Sequence, residues 1–337
     1  MSHTLPDGAP RMPRRHLGQP IPAEGEGGVF TQSWYPICAS SELPAGGVLG
    51  TDFLDGRVVA FRGDSGVAQI LSAYCPHLGA DLALGTVVGE TLRCPFHHFR
   101  FDRSGACVAT GTGDPPPRAA CLFRFPTTER HGLVWAFNGE VPSYDLPSFA
   151  VADEDLARKI AVYDDLVGVD PWVVCCNTPD IQHLQLLHRV TLTEGDPTDQ
   201  IDWTAHSMMY DLRGKNHRGD LIDLRIGVIG TSIYYQSGFV HGRWFGYLSA
   251  LGLPAPGKTR IFQAIVARRA DGDDAENEAF LGSMLALQRE IFAEDLPIMQ
   301  TMRYRPGTLT RSDRALARYF DFLRAYPRAH PSAEFIR

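Results

Sequence analysis

Two short segments, Cys75-Pro76-His77 and Cys94-Pro95-Phe96-His97, carry the strongest signal in this sequence, and sixteen residues separate His77 from Cys94. Each segment offers one thiolate and one imidazole, on loops of what the surrounding pattern predicts to be one small β-domain. A [2Fe–2S] cluster whose irons are bound by two Cys and two His requires this set of ligands. Because neutral imidazoles replace anionic thiolates, the reduction potential of such a centre is raised, and it can receive an electron and pass it on.

A zinc site with two Cys and two His is the natural alternative. Finger-type zinc sites group Cys with Cys and His with His, whereas each pair here is mixed. The flanking residues, Tyr74 to Gly79 and Arg93 to His97, are typical of tight turns in which backbone N–H groups reach the sulfurs. The pattern therefore favours the cluster.

On these residues the segment resembles the Rieske iron–sulfur domains of oxygenases. Rieske proteins of respiratory complexes usually carry a further Cys in each loop, and the matching positions here are Ala80 and Phe96. The resemblance therefore implies a domain without the loop disulfide. One departure is His98-Phe99, where the oxygenase family usually has Gly-Trp. We expect His98 to be a neighbour of the cluster and not a ligand.

Composition limits the class of protein. A length of 337 residues predicts two domains, and 44% hydrophobic with 21% charged residues is typical of a globular protein with a substantial core. A net charge of −7 argues against nucleic-acid binding, and no run of about eighteen apolar residues predicts a membrane span. The N-terminus has no apolar signal core, and the seven Cys lack disulfide-like spacing. We therefore expect reduced cysteines and a cytoplasmic protein.

The predicted fold class is α+β, in three segments. Residues 1–28 are rich in Pro, Gly and charge and predict a mobile N-terminal arm. Residues 29–145 alternate short apolar runs with turns and predict an antiparallel β-domain, the Rieske domain of the resemblance. Residues 146–337 predict the catalytic domain, an antiparallel, curved sheet covered by helices. Its expected strands and helices are 159–169, 221–229, 232–238, 244–251, 260–268, 276–302 and 311–325.

A second group of polar residues lies in the segment from Asn177 to His188. Two nearby His and a carboxylate are the ligand set of a mononuclear non-haem iron(II) site with open positions. On an ideal helix His183 and His188 would lie about 140° apart and would not converge. Pro179 removes a backbone donor and crowds the carbonyl of Cys175, so it predicts a break that would let both imidazoles face one metal. On the residues alone, two ordinary His on a buried helix are as good an interpretation as an iron site.

The pattern Asp180-x-x-His183-x-x-x-x-His188, downstream of a Rieske pair, resembles the catalytic motif of Rieske non-haem iron oxygenases, and the resemblance extends from Trp34 to about Met302. It implies that His183 and His188 bind iron. A carboxylate on a helix further downstream is the third ligand in that family. Asp295 is the best match here, and Glu290 and Glu294 are the alternatives on the same helix.

The resemblance also implies roles for two residues that do not bind the iron. Asp180 would bridge the iron site of one subunit to a Rieske His of the neighbouring subunit in a head-to-tail homotrimer. Asn177 would lie near the iron without binding it tightly, although an amide that satisfies backbone groups at the Pro179 break is an equal interpretation. Six strand residues are candidates for lining the substrate pocket, although apolar strand residues more often belong to the core: Met208, Tyr210, Tyr234, Phe239, Trp244 and Phe245. His217 and His241 are candidates for hydrogen bonding to a substrate, although a surface or core role is the favoured interpretation of each.

The implied reaction uses dioxygen and electrons that a separate reductase draws from NAD(P)H, directly or through a ferredoxin. The motif is more similar to the homotrimeric monooxygenases, which include ketosteroid hydroxylases, sterol desaturases and demethylases, than to the ring-dihydroxylating enzymes. We expect hydroxylation of a non-polar small molecule, a class that includes polycyclic compounds. Desaturation, O- or N-dealkylation and dihydroxylation by the same iron are alternatives. A Rieske electron-transfer protein without catalytic iron is an alternative of another class.

Overall fold

The structure, a computed structural model, describes residues 19–240 and 242–337. Most of the predicted arm, and His241, lie outside these described residues. Residues 19–28 belong to the predicted arm and contact the C-terminal part of the chain. Arg324 and Arg328 donate hydrogen bonds to the backbone carbonyls of residues 19, 20, 22 and 23. These hydrogen bonds attach the last part of the predicted arm to the C-terminal part of the chain.

Twelve short strands fill the first part of the described chain. They are β1 Phe30–Thr31, β2 Trp34–Ala39, β3 Val48–Phe53, β4 Gly56–Arg62, β5 Ala68–Ser72, β6 Thr86–Val88, β7 Thr91–Arg93, β8 Arg100–Phe101, β9 Cys107–Ala109, β10 Arg124–Phe125, β11 Thr127–Arg130 and β12 Leu133–Phe137. Their sheet orders are β10-β5-β4-β3, β11-β12-β2 and β6-β7-β8-β9, with antiparallel pairing throughout. The predicted antiparallel β-domain is confirmed.

The hairpin between β3 and β4 illustrates how the sequence forms these sheets. Its loop consists of Leu54 and Asp55, with φ of 52° and 61°. Positive φ at both central residues matches the right-handed twist of the two strands. Leucine seldom adopts this conformation, but Leu54 is fully buried, and its amide donates to the carbonyl of Leu253. Burial of the side chain therefore compensates for the backbone strain.

The described residues of the second part form one large sheet and four α-helices. The elements are β13 Leu156–Val162, α1 Pro171–Cys175, α2 Ile181–Leu186, β14 Thr191–Leu192, β15 Asp202–Trp203, β16 Ser207–Lys215, β17 Leu221–Ile229, β18 Ile233–Val240, β19 Arg243–Ala255, β20 Lys258–Arg268, α3 Asp274–Met299, α4 Arg314–Ala325 and β21 Arg328–Ala329. The sheet order is β13-β20-β19-β18-β17-β16-β14, with β15 beside β16 and every pair antiparallel. Helix α3 packs on β13 and β20, as expected for a sheet covered by helices.

Most predicted elements of this part occur, with shifted ends. The strand expected over 159–169 instead covers Leu156–Val162, because the bend at Asp164 and Asp165 interrupts its pairing with β20, which returns only as a single bridge between Val167 and Thr259. The helix expected over 276–302 begins two residues earlier, where the Asp273 side chain accepts a hydrogen bond from the amide of Glu276. None of the helices in the described ranges is long and apolar enough to cross a membrane.

The two parts of the chain share a hydrophobic core. Trp34 and Trp135 on the first part pack with Tyr235 and Trp244 on the second. Gly230 lies at the same junction with φ of 62°, and a Cβ there would be 2.1 Å from the Tyr144 hydroxyl oxygen and 2.2 Å from the Ser33 hydroxyl oxygen. Only glycine fits such a site. The domain boundary predicted at residue 145 stays a prediction, since this core is continuous across it.

Candidate functional site

The Cys75–Ala80 loop follows β5, and the Cys94–Phe99 loop joins β7 to β8. Backbone hydrogen bonds close both loops, from the amide of Cys75 to the carbonyl of Ala80 (2.9 Å) and from the amide of Cys94 to the carbonyl of Phe99 (2.8 Å). The two Cys are only 2% and 1% exposed. Burial raises the pKa of the Cys75 thiol to about 11, so the sulfur keeps its proton unless a metal replaces it.

The two imidazoles of these loops lie side by side at the surface. The ring centroids of His77 and His97 are 4.7 Å apart, and His77 stacks on Phe99 at 4.6 Å with an angle of 6° between the rings. His77 is exposed and His97 is half-buried. Two inward thiols and two outward imidazoles on one pair of loops fit the ligand set of a [2Fe–2S] cluster bound by two Cys and two His.

His98 is exposed and has a φ of 57°, in the left-handed region. A side chain at such a position costs about 1 kcal/mol relative to glycine. The turn thus needs a positive φ at this position, which glycine, the usual residue of the oxygenase family, adopts without strain and His98 adopts with strain. The replacement of Gly by His98 therefore affects the backbone of the turn.

The segment from α1 to α2 has the break that Pro179 predicts. Helix α1 ends at Cys175, and α2 begins after Asp180, whose Oδ1 accepts a hydrogen bond from the amide of His183 (3.0 Å). Helix α2 ends before His188, and the amide of His188 reaches back to the carbonyl of His183 (3.4 Å). The two imidazole centroids are consequently 4.4 Å apart, with the rings nearly perpendicular.

Helix α3 brings a carboxylate to these two imidazoles. Asp295 Oδ1 lies 2.7 Å from His183 Nε2 and 3.1 Å from His188 Nε2. One ligand atom from each residue lies within 4.8 Å of the other two. Burial tends to raise the pKa of Asp295, but the contacts with both imidazoles hold it below its usual range. An ionised carboxylate and two imidazoles on one side fit a mononuclear iron(II) site with open positions.

The two alternative carboxylates on α3, Glu294 and Glu290, occupy different places. Glu294 Oε2 lies 3.0 Å from His188 Nδ1, on the side of the ring away from Asp295. Such an outer carboxylate fixes the orientation of a metal-binding imidazole. Burial tends to lower the pKa of His188, but Asp295 and Glu294 together raise it. Glu290 contacts His217 (3.4 Å) and Arg218. Sequence reasoning missed the contact of Glu294 with His188, because the contact depends on where α3 crosses α2.

Asn177 and Asp180 both lie near the two imidazoles, Asn177 in the cavity wall and Asp180 at the start of α2. Asn177 lines the cavity beside them, and its Nδ2 is 3.8 Å from Met299 Sδ. Asp180 is half-buried at the start of α2. His183 Nδ1 is buried, and it has no hydrogen-bond partner within the described part of the chain. A further acceptor at that nitrogen would complete the hydrogen bonding of the ring.

A cavity of about 160 Å³ extends from the two imidazoles and Asp295 between the large sheet and α3. Of the pocket residues predicted from the sequence, Tyr234 and Phe245 line it. Met208, Tyr210 and Trp244 are instead buried in the core, and Phe239 is half exposed. Apolar side chains form most of the wall, including Val174, Leu184, Leu212, Ile222, Leu224, Ile226, Val240, Met284, Leu287, Ile291 and Phe292.

Comparison with known proteins places the chain in a class. Residues 33–126 match the family model described as Rieske [2Fe-2S] domain. Cholesterol 7-desaturase nvd 1 of Ciona intestinalis is 34% identical over 232 residues, which are 68% of this chain and 47% of that protein. Methylxanthine N1-demethylase NdmA of Pseudomonas putida is 32% identical over 171 residues, 47% of each chain. This chain spans less than half of the first curated relatives that it matches.

Solved structures share the fold over most of their length. NdmA of Pseudomonas putida CBB5 with caffeine has a TM-score of 0.70 at 21% identity, covering 86% of this chain and 89% of that one. Dicamba monooxygenase bound to dicamba has a TM-score of 0.66 at 22% identity, covering 87% and 97%. The predicted resemblance is confirmed. The chain carries a Rieske domain and is a relative of the catalytic subunits of Rieske oxygenases.

Proposed function

We propose that this chain is the catalytic subunit of a Rieske oxygenase that hydroxylates a small, predominantly apolar molecule. The observation that supports this most strongly is the convergence of His183, His188 and Asp295 at one end of an apolar cavity, in a chain that carries a Rieske domain. Desaturation and demethylation are the closest alternatives, because relatives bear those names.

In this proposal Cys75, His77, Cys94 and His97 hold the cluster, and His183, His188 and Asp295 hold iron(II). Iron bound there would supply dioxygen activation at its open positions. The chain's own contribution is to fix the geometry and the surroundings. Glu294 holds the His188 ring in orientation, and the apolar wall excludes water and positions the substrate.

We further propose a head-to-tail homotrimer in which Asp180 of one subunit meets a cluster imidazole of the next. Three observations support it. His183 Nδ1 has no partner among the described residues. Leu78 and Phe96, beside the cluster imidazoles, are 66% and 61% exposed. Leu186 on α2 is 78% exposed. Exposed apolar side chains near both centres suit surfaces that cover each other, and a ring closes a heterologous interface.

The electron donor in this proposal is a separate ferredoxin or flavin reductase that draws on NAD(P)H. It would dock where the cluster imidazoles reach the surface, since His77 is exposed. We propose a cytoplasmic location, because none of the seven cysteines forms a disulfide and four of those outside the cluster loops are at least half-buried.

The identity of the fourth cluster ligand is tested by two neighbouring substitutions. Replacing His97 by alanine should abolish the absorption and electron paramagnetic resonance signals of the cluster, because one iron loses an imidazole. Replacing His98 by glycine should leave both signals unchanged, since glycine suits the positive φ. A cluster that survives loss of His97 but not of His98 would reverse the assignment.

The proposed reaction is tested with a panel of apolar ring compounds, a surrogate reductase and ferredoxin, NADH and isotopically labelled dioxygen, with mass spectrometry of the products. Hydroxylation predicts a product that carries one labelled oxygen atom. Desaturation would give an unlabelled product lacking two hydrogens, and demethylation would give a shortened product. Reduction of the cluster without any product from any compound would count against an oxygenase.

A further inference from the structure

Two glutamine side chains meet in the wall of the apolar cavity. Gln236 lies on β18 and Gln288 on α3, and both line the cavity although each residue is only 7% exposed. Gln288 Nε2 donates a hydrogen bond to Gln236 Oε1 (3.3 Å), and the Tyr234 hydroxyl donates to the same oxygen (3.3 Å). Burial raises the pKa of Tyr234 far above neutrality, so its hydroxyl remains a donor.

These contacts leave half of the polar groups of the pair unused. Each amide has one acceptor oxygen and one donor nitrogen. Gln236 Nε2 and Gln288 Oε1 have no hydrogen-bond partner in the described part of the chain. If both amides are turned by half a rotation, the unused groups become Gln236 Oε1 and Gln288 Nε2. In either orientation the pair offers one donor and one acceptor to the cavity.

The surroundings do not satisfy these groups. Leu212, Ile226 and Met284 belong to the same cavity wall and have no strong hydrogen-bonding group. The amide of Asn216, also in the wall, is bound within its own turn, to Asp220 and Arg218. Buried polar groups are nearly always hydrogen-bonded in folded proteins, so a donor and an acceptor that face a cavity call for a partner inside it.

We propose that Gln236 and Gln288 determine specificity by binding a substrate edge in which a carbonyl and an N–H lie side by side, as in a lactam or an imide. This inference rests on the proposed function, since the same cavity contains His183, His188 and Asp295. The Gln236 amide N–H donates to the substrate carbonyl, and the Gln288 carbonyl accepts from the substrate N–H. The rest of the substrate is apolar and packs against the aliphatic wall.

A ligand series on the wild-type holoenzyme tests the proposal. Phthalimide has the required edge, N-methylphthalimide lacks the N–H, and naphthalene lacks both groups. Calorimetric titration should give phthalimide about tenfold tighter binding than N-methylphthalimide, as expected for loss of one hydrogen bond that leaves a buried acceptor unpaired. Equal binding of phthalimide and N-methylphthalimide, or binding of none of the three, would overturn the proposal.

Three matched variants locate the preference. Gln288→Met keeps side-chain length and should reduce the preference for phthalimide over N-methylphthalimide to within about twofold, because it removes the acceptor for the N–H. Gln236→Met should weaken the binding of both imides by about tenfold and keep the preference, because both ligands have the carbonyl. Gln300→Met makes the same exchange at an exposed position after α3 and should keep the full preference. An undiminished preference in Gln288→Met, or unchanged affinity for both imides in Gln236→Met, would contradict the assignment, and the wild-type series decides the matter if a variant does not fold.

The outcome of the binding series can be distinguished from the outcome of the experiment that tests the proposed reaction. Binding is measured without turnover, whereas the reaction is followed through labelled dioxygen. Equal binding of the ligands together with labelled products would refute only the role of the glutamine pair. A clear preference for phthalimide in a protein that forms no product with any compound would refute only the reaction.

Discussion

Replacing His183 by alanine is expected to lower the iron content from about three to about two per chain and to abolish product formation, while the cluster signals stay unchanged. The variant keeps His188 and Asp295, but the carboxylate loses its 2.7 Å contact with His183 Nε2 and one of three ligand positions is empty. Among the described residues, the buried side chains packed around Cys75 and Cys94 include none from α2. Iron and sulfide analysis with absorption spectroscopy measures both centres in one sample.

The matched control is His217→Ala, which removes an imidazole whose Nε2 lies 3.4 Å from Glu290 Oε1. It should retain all three irons, and its cluster signals should equal those of the wild-type protein. Loss of the cluster signals in the His183 variant, or product formation at the wild-type rate, would contradict the assignment of His183 to the mononuclear site.

Replacing Asp180 by asparagine is expected to preserve both metal centres and to slow turnover by about 10- to 100-fold, the usual effect of losing a partner of a metal-bound imidazole. Asparagine starts a helix about as well as aspartate, so α2 should keep its hydrogen bond to the amide of His183. What changes is the charge that, in the proposed trimer, Asp180 would offer to a cluster imidazole of the neighbouring subunit. The measurement is the rate at which a reduced cluster is reoxidised by dioxygen in the presence of a substrate from the panel.

Asp196→Asn is the matched control, because Asp196 also accepts a hydrogen bond from the backbone at the start of a short helical turn, from the amide of Thr198 (2.9 Å). Its reoxidation rate should equal that of the wild-type protein. A normal rate in the Asp180 variant would show that this carboxylate does not couple the two centres.

Local chemistry explains what the sequence could predict. Mixed Cys and His pairs on tight turns indicate a cluster, and Pro179 predicts the break that separates α1 from α2. Alternating apolar runs predict most strands. The bend at Asp164 and Asp165 ended a strand earlier than its apolar pattern suggested, because local polar residues outweighed the pattern there.

Long-range packing explains what the sequence could not predict. Asp295, Glu294 and Glu290 lie on one helix, and only the crossing of α3 over α2 decides which of them faces the two imidazoles. The pairing of Gln236 with Gln288 depends likewise on the placement of α3 against β18. Two glutamines 52 residues apart give no signal of their own in the sequence.

The central claim is that one chain carries both a Rieske cluster and a mononuclear iron. Its most direct test is the iron and acid-labile sulfide content of the wild-type protein after anaerobic reconstitution and removal of unbound metal. The account predicts about three irons and about two sulfides per chain. Two irons with two sulfides, unchanged by further iron(II), would contradict it and would leave an electron-transfer protein.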